Sequence, residues 1–144
     1  MSVLAIDAGT TGVTAVVVTE AGEIAAKGYQ EFAQHFPRPG WVEHEPEEIW
    51  QATLAATIQV LERYDAGLLR AVGITNQRET IALWDRETLT SPRKAIVWQD
   101  RRTADICARL QSAGHEARVS EVTGLRLDPY FSGTKLAWLA ENEP

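Results

Sequence analysis

A chain of 144 residues with 44% hydrophobic and 24% charged side chains has ordinary globular make-up and enough length for one core. A formal net charge of −6 argues against non-specific nucleic-acid binding, which draws its affinity from clustered cations. No apolar run reaches membrane-spanning length, no secretory signal opens the chain, and the lone Cys107 can form no internal disulfide, so a reducing, cytoplasmic setting without membrane insertion is expected.

Residues 3–6 form a short apolar run of the kind found in strands covered on both faces. The turn Asp7-Ala8-Gly9-Thr10-Thr11-Gly12 follows, and the β-branched run 13–19 reads as a second strand. Glu20-Ala21-Gly22-Glu23 predicts a hairpin loop with Gly22 left-handed, and 24–33 a third strand, so the opening is an antiparallel meander. Pro37, Pro39 and Gly40 mark an irregular connection. Pro46 suits the first position of a helix, with Glu45, Glu47 and Glu48 at its positive end and Arg63 at its negative end. Trp50, Leu54, Thr57, Leu61 and Tyr64 recur at helical spacing and predict the inward face. Residues 70–74, 80–84 and 95–98 read as strands. Helices are expected over 103–111 with Ile106, Cys107 and Leu110 inward, over 115–122 ending near Gly124, and over 134–142. No repeat, low-complexity tract or linker marks a domain boundary. The order predicts an α/β layered unit, and it resembles the ribonuclease H-like fold of the actin, heat-shock ATPase and sugar kinase superfamily.

Four stretches can carry chemistry. Arg78 and Glu79 follow an apolar strand, at the strand end where α/β folds present ligand-contacting groups. A guanidinium donates and a carboxylate accepts, so the pair can clamp neighbouring hydroxyls of a polyol; alone, such a pair is more often a surface ion pair. In the first turn, Gly9 permits close backbone approach, Thr10 and Thr11 add donors, and Asp7 can hold Mg²⁺ directly or through water. The same residues suit an ordinary hairpin turn, and no Gly-Lys-Ser/Thr follows to make a nucleoside-triphosphate P-loop. Trp98 can wall a carbon skeleton or simply pack, with Asp100 or Thr103 capping the next helix. Tyr130 can bond a ligand hydroxyl through its phenol or pack, while Trp138 suits the core. His35, His44 and His115 lack zinc-ligand spacing.

Together these segments resemble the N-terminal part of the FGGY carbohydrate kinase family, over nearly the whole chain. The resemblance rests on residues 7–11, Pro39-Gly40-Trp41-Val42-Glu43-His44, 74–80, 95–103 and 128–135. Tyr130, Ser132, Lys135, Leu136, Trp138, Leu139, Glu141 and Asn142 fit every fixed position of the family's first signature. Asn76-Gln77-Arg78-Glu79 stands where xylulokinases carry Gly-Gln-Met-His, which points to the glycerol-phosphorylating branch. Ala8 and Gly12-Val13-Thr14 differ from that branch's usual Gln and Ser-Ser-Arg, and the absent arginine, here Thr14, is one that helps hold nucleotide phosphates.

The resemblance implies that Arg78, Glu79, Trp98 and Tyr130 bind glycerol, and that Asp7, Gly9, Thr10 and Thr11 face ATP with Mg²⁺ near Asp7. It implies γ-phosphoryl transfer to a terminal hydroxyl, a homo-oligomeric full-length form, and a base aspartate beyond Pro144. Residues 1–144 then form part of the N-terminal lobe, without the second lobe, and should not turn over ATP alone. A kinase for another sugar or polyol, and a non-catalytic polyol-binding module, are the alternatives.

Overall fold

β1 (Ser2–Ala8) and β2 (Gly12–Thr19) form where apolar and β-branched runs flank a glycine-bearing turn, and they pair antiparallel from Ser2 opposite Thr19 to Ala8 opposite Val13. β3 (Ile24–Glu31) returns along β2 through a turn in which Gly22 has φ +81°, the left-handed geometry expected there. β4 (Glu43–His44) precedes α1 (Pro46–Leu61), a 3-10 turn at Ala66–Leu68, and β5 (Leu69–Asn76), which enters parallel to β1. The four-stranded sheet runs β3-β2-β1-β5. β6 (Ala95–Ile96), α2 (Ala104–Ser112), α3 (Glu116–Thr123) and α4 (Ser132–Asn142) complete the order. This computed structural model describes residues 1–143.

The chain folds as two compact units, one of residues 1–34 and 45–77, the other of residues 35–44 and those from Arg78 onward. None of the three crossings between them, after residues 34, 44 and 77, has linker composition, so no boundary is visible in the sequence.

In the first unit, Leu4, Ile6, Val13, Ala15, Val17 and Ala26 meet Ala52, Ala56 and Val60 of α1. That inward stripe is not the one the spacing of large residues predicts. Trp50 is 54% exposed and Leu61 38%, whereas Leu54 and Thr57 are half-buried and Tyr64, past the end of the helix, packs against the core with its hydroxyl 2.7 Å from Ser2 Oγ. Gly28 supplies the reason: a Cβ there would sit 2.2 Å from the Ala56 carbonyl oxygen. Helix and strand meet almost backbone to backbone, and only small side chains fit the contact. Arg63 lies past the last turn and donates to the Lys27 carbonyl at 3.3 Å rather than capping α1.

In the second unit, β4 and β6 pair antiparallel, Glu43 opposite Ile96 and His44 opposite Ala95. Residues 80–84 form no strand. Ile81 alone bridges to Ile96, while Leu83 and Trp84 are exposed. Local bonds take over there: the Asp85 carboxylate accepts from the Glu87 and Thr88 amides at 2.9 and 2.7 Å, which curls the chain into a turn. α2 buries Cys107, with Ile106 and Leu110 half-buried, and Gly124 ends α3 at φ +71°. Thr103 precedes α2 without a side-chain cap bond; its hydroxyl lies 2.9 Å from that of Thr134.

A buried ionic cluster ties this unit together. Arg102 donates to Asp100 through Nε at 2.9 Å and Nη2 at 2.8 Å, and to Glu43 through Nη2 at 2.7 Å. Its guanidinium lies 3.7 Å from the centre of the Trp41 ring and 4.9 Å from that of Trp138. Asp100 also accepts from the Val42 amide at 2.7 Å.

Candidate functional site

The Arg78-Glu79 stretch sits in the second unit, in an unusual backbone state. Glu79 has φ +65°, a left-handed conformation that costs a residue with a Cβ about 1–2 kcal/mol. Its Oε2 accepts from the Ser132 amide at 2.7 Å and the Ser132 hydroxyl at 2.5 Å, leaving Oε1 outside both bonds. Ser132 opens α4, whose preceding residue Phe131 offers no side-chain cap. The Glu79 carboxylate supplies that cap from a distant part of the chain. The Ser132 hydroxyl bond is the main reason the carboxyl is held below its ordinary range. Partial burial opposes the shift, and the Ser132 amide and the charges of Lys135 and Arg78 add to it. Arg78 itself is exposed.

Trp98 and Tyr130 form an edge-to-face pair with ring centroids 5.7 Å apart, and both are half-buried. The Trp98 amide donates to Thr80 Oγ1 at 3.2 Å, which anchors the tryptophan beside Glu79 in sequence. Tyr130 packs edge-to-face on Phe131 at 5.0 Å, and its amide donates to Asp128 Oδ1 at 2.8 Å. Beneath this loop Lys135 is fully buried. Its ammonium donates to the Pro129 carbonyl, to the Tyr130 carbonyl at 2.8 Å and to the Phe131 carbonyl at 3.4 Å. Burial lowers its pKa, against the opposing charges of Asp100, Glu79 and Asp128. Glu79, Trp98 and Tyr130 thus belong to one cluster, joined through Thr80 and Ser132. An apolar cavity of about 330 Å³ among α2, α3 and α4, lined by Ile106, Leu110, Val119, Leu127 and Phe131, holds none of the predicted site residues.

Thr80, Ser132 and Lys135 are the supporting residues that spacing alone does not mark as such. The Glu79–Ser132 bond spans 53 positions, beyond any local pattern. The one available signal is a serine three residues before a lysine at a helix start.

The first turn lies in the other unit. Asp7 is exposed near the end of β1, opposite Thr14 on β2 and Thr75 on β5. The Gly9 amide donates to the Gly12 carbonyl at 3.1 Å, and Gln77 holds the bend from outside, its amide on the Ala8 carbonyl at 3.0 Å and its Nε2 on the Gly9 carbonyl at 3.2 Å. Space, rather than a left-handed φ, requires glycine at position 12 and favours it at position 9. A Cβ on Gly9 would lie 3.1 Å from the Gly12 oxygen, and one on Gly12 2.7 Å from both the Gln30 carbonyl oxygen and the Tyr29 hydroxyl. Thr10 is half-buried and Thr11 exposed. Among the described residues no group of three or more acidic, histidine or cysteine side chains converges on a metal position. Asp7 fits Mg²⁺ only as a single carboxylate, with phosphate oxygens and water as the other ligands.

Residues 2–144 match the model of the N-terminal domain of the FGGY family of carbohydrate kinases. The chain belongs to that family. It is 57% identical over 146 aligned residues to the glycerol kinase of Rhodopseudomonas palustris (strain BisA53), covering 99% of this chain and 29% of that protein. The glycerol kinase of Bradyrhizobium sp. (strain ORS 278) gives the same identity and coverage. Among solved structures, Plasmodium falciparum glycerol kinase with ADP superimposes with a TM-score of 0.90 at 32% identity, over 99% of this chain and 29% of that one. The fold is also that of a xylulose kinase from Rhodospirillum rubrum, TM-score 0.90 at 23% identity, over 100% of this chain and 30% of that one. The architecture is therefore the mixed α/β fold of the actin-like ATPases, as the element order predicts. The chain spans about 29% of the length of the curated relatives it matches.

Proposed function

We propose that residues 1–144 supply the polyol site and part of the phosphate site of an ATP-dependent kinase that converts glycerol to glycerol 3-phosphate. The carrying observation is the ionised Glu79 carboxylate, fixed by Ser132 beside the Trp98–Tyr130 aromatic pair. An acceptor with one uncommitted oxygen, an adjacent guanidinium and a phenol match a ligand that offers several hydroxyls on a short carbon chain. Identity of 57% to glycerol kinases supports glycerol over other polyols.

In this reading Glu79 accepts from a glycerol hydroxyl, Arg78 and Tyr130 donate to others, and Trp98 packs on the carbons. Thr10, Thr11 and the close-packed backbone at Gly9 and Gly12 receive nucleotide phosphates, and Asp7 holds Mg²⁺ directly or through water. The metal would neutralise charge that develops on the transferring phosphoryl group. The chain's own contribution is orientation, which dominates phosphoryl transfer. The aspartate that takes the hydroxyl proton, the adenosine pocket and the second lobe are assigned to sequence outside residues 1–144, and the compartment to the cytoplasm.

The test uses a full-length polypeptide carrying residues 1–144 at its N-terminus, with ADP release measured against glycerol, erythritol and pentoses. Glycerol should be preferred, and Arg78→Ala and Glu79→Ala should each lower kcat/KM by at least about tenfold, the loss expected of a bond to a charged group. A preference for a ketopentose, or ADP release that ignores added polyol, would refute the reading. The 144-residue chain alone should release no glycerol-dependent ADP.

A further inference from the structure

Ser132 makes a bond that helix capping does not require. Its backbone amide already satisfies the Glu79 carboxylate as a cap at 2.7 Å, yet the side-chain hydroxyl donates to the same Oε2 at 2.5 Å. Two donors on one oxygen fix where the other points, because the carboxylate plane can no longer turn about Oε2. The first turn of α4 is itself immobilised. Lys135, in the same turn, is buried and holds the carbonyls of Pro129, Tyr130 and Phe131. One short segment thus grips the Glu79 carboxylate on one side and the Tyr130 backbone on the other.

We propose that Ser132 is a positioning residue for polyol recognition: its hydroxyl orients the Glu79 carboxylate, so that Oε1 meets a ligand hydroxyl without rearrangement. The inference rests on the polyol reading above. It assigns Ser132 no contact with the ligand. Its hydroxyl is also the largest influence holding the Glu79 carboxyl below its ordinary range, so losing it lets that carboxyl titrate at higher pH.

Ser132→Ala isolates the hydroxyl, since the backbone donor that caps α4 remains. Ser132→Thr restores a hydroxyl at the same position. Glycerol titrations and steady-state kinetics would be run from acid to neutral pH on the full-length polypeptide and both variants. Ser132→Ala should raise KM for glycerol about tenfold, a loss typical of a charge-assisted hydrogen bond, and should move the acid limb of kcat/KM to higher pH. Ser132→Thr should recover most of both. An unmoved acid limb in Ser132→Ala, or equal defects in the alanine and threonine variants, would overturn the positioning role and leave Ser132 a cap. A parent protein that binds no polyol would instead overturn the functional reading and this inference with it, so the two failures are told apart by the parent.

Discussion

Arg102 offers the sharpest energetic test of the second unit. Its side chain and that of Asp100 have no solvent exposure, and Glu43 has only 12%. Replacing Arg102 by Met keeps an unbranched apolar stem of similar bulk but deletes three charge-assisted bonds, of 2.9, 2.8 and 2.7 Å. It strands the Asp100 carboxylate in a dry site. Removing one partner of a buried ion pair costs about 3–5 kcal/mol. Asp100 keeps the Val42 amide at 2.7 Å and the Arg102 amide at 2.8 Å, which argues for the lower end. Loss of the contact with Trp41 at 3.7 Å adds about 1–2 kcal/mol. The expected total is about 4 kcal/mol. Arg102→Lys should fall between, since an ammonium cannot reproduce the fork. Urea unfolding followed by tryptophan fluorescence reads this directly, because Trp41 and Trp138 flank the guanidinium. Asp100→Asn combined with Arg102→Met should destabilise by clearly less than the sum of the single changes, as residues in one network do. A loss below about 1 kcal/mol for Arg102→Met, or strict additivity in the double variant, would refute the view that this cluster is a coupled, desolvated unit.

Gly28→Ala should cost at least about 2 kcal/mol, because the new Cβ meets the Ala56 carbonyl oxygen at 2.2 Å and α1 must lift from β3; a thermal melt within a degree of the parent would show that the helix slides freely. Glu79→Gln should flatten the pH dependence of stability on the acid side. The folded-state carboxyl is held low, so its contribution is present above the unfolded value and lost as pH falls through the folded one. Equal acid sensitivity in parent and variant, measured by urea midpoints across that range, would remove Glu79 as the cause. The 144-residue chain should self-associate through β5, an edge strand on which Val72 and Ile74 are 57% and 74% exposed. Val72→Lys with Ile74→Lys should return the gel-filtration peak toward monomer, and a sharp monomer peak from the parent would count against the idea.

The meander, the crossover helix and the returning strand were legible because each is a local pattern: β-branched runs, a left-handed Gly22, a proline at a helix start. The inward face of α1 was legible only in part. Tyr64 packs on the core and Leu54 and Thr57 are half-buried, but Trp50 and Leu61 are exposed, because the close approach at Gly28, on another element, puts Ala52, Ala56 and Val60 at the contact. Residues 80–84 failed for the opposite reason, a local one. Asp85 closes a turn that competes with strand pairing. At the candidate site, the residue types at Glu79, Trp98 and Tyr130 could be singled out from sequence, whereas the bonds that join them link positions too far apart for periodicity to connect. Asp100 could be read as a helix cap, and it turns out to bind the arginine two residues away and the amide of Val42, the residue before β4.

Glu79 combines two conditions that are each unfavourable in isolation: a left-handed backbone and a carboxylate taken partly out of water. Such a residue persists only where its surroundings outweigh the strain, and the two Ser132 donors are the visible compensation. The balance can be separated experimentally. Glu79→Ala deletes the bonds and keeps the strained backbone, while Glu79→Gly deletes the bonds and relieves the strain. Relief at φ +65° favours the glycine variant by about 1–2 kcal/mol. The greater freedom of glycine in the unfolded chain returns about 0.5–1 kcal/mol of that. Glu79→Gly should therefore be the more stable of the two by about 0–1.5 kcal/mol, while binding glycerol no better than Glu79→Ala. Urea midpoints and glycerol titrations on both variants make the comparison. A glycine variant less stable than the alanine one by about 0.5–1 kcal/mol, the full entropic cost of glycine, would mean that the left-handed turn carries no strain, and the geometry at this site would then be a local preference rather than a conformation imposed by α4.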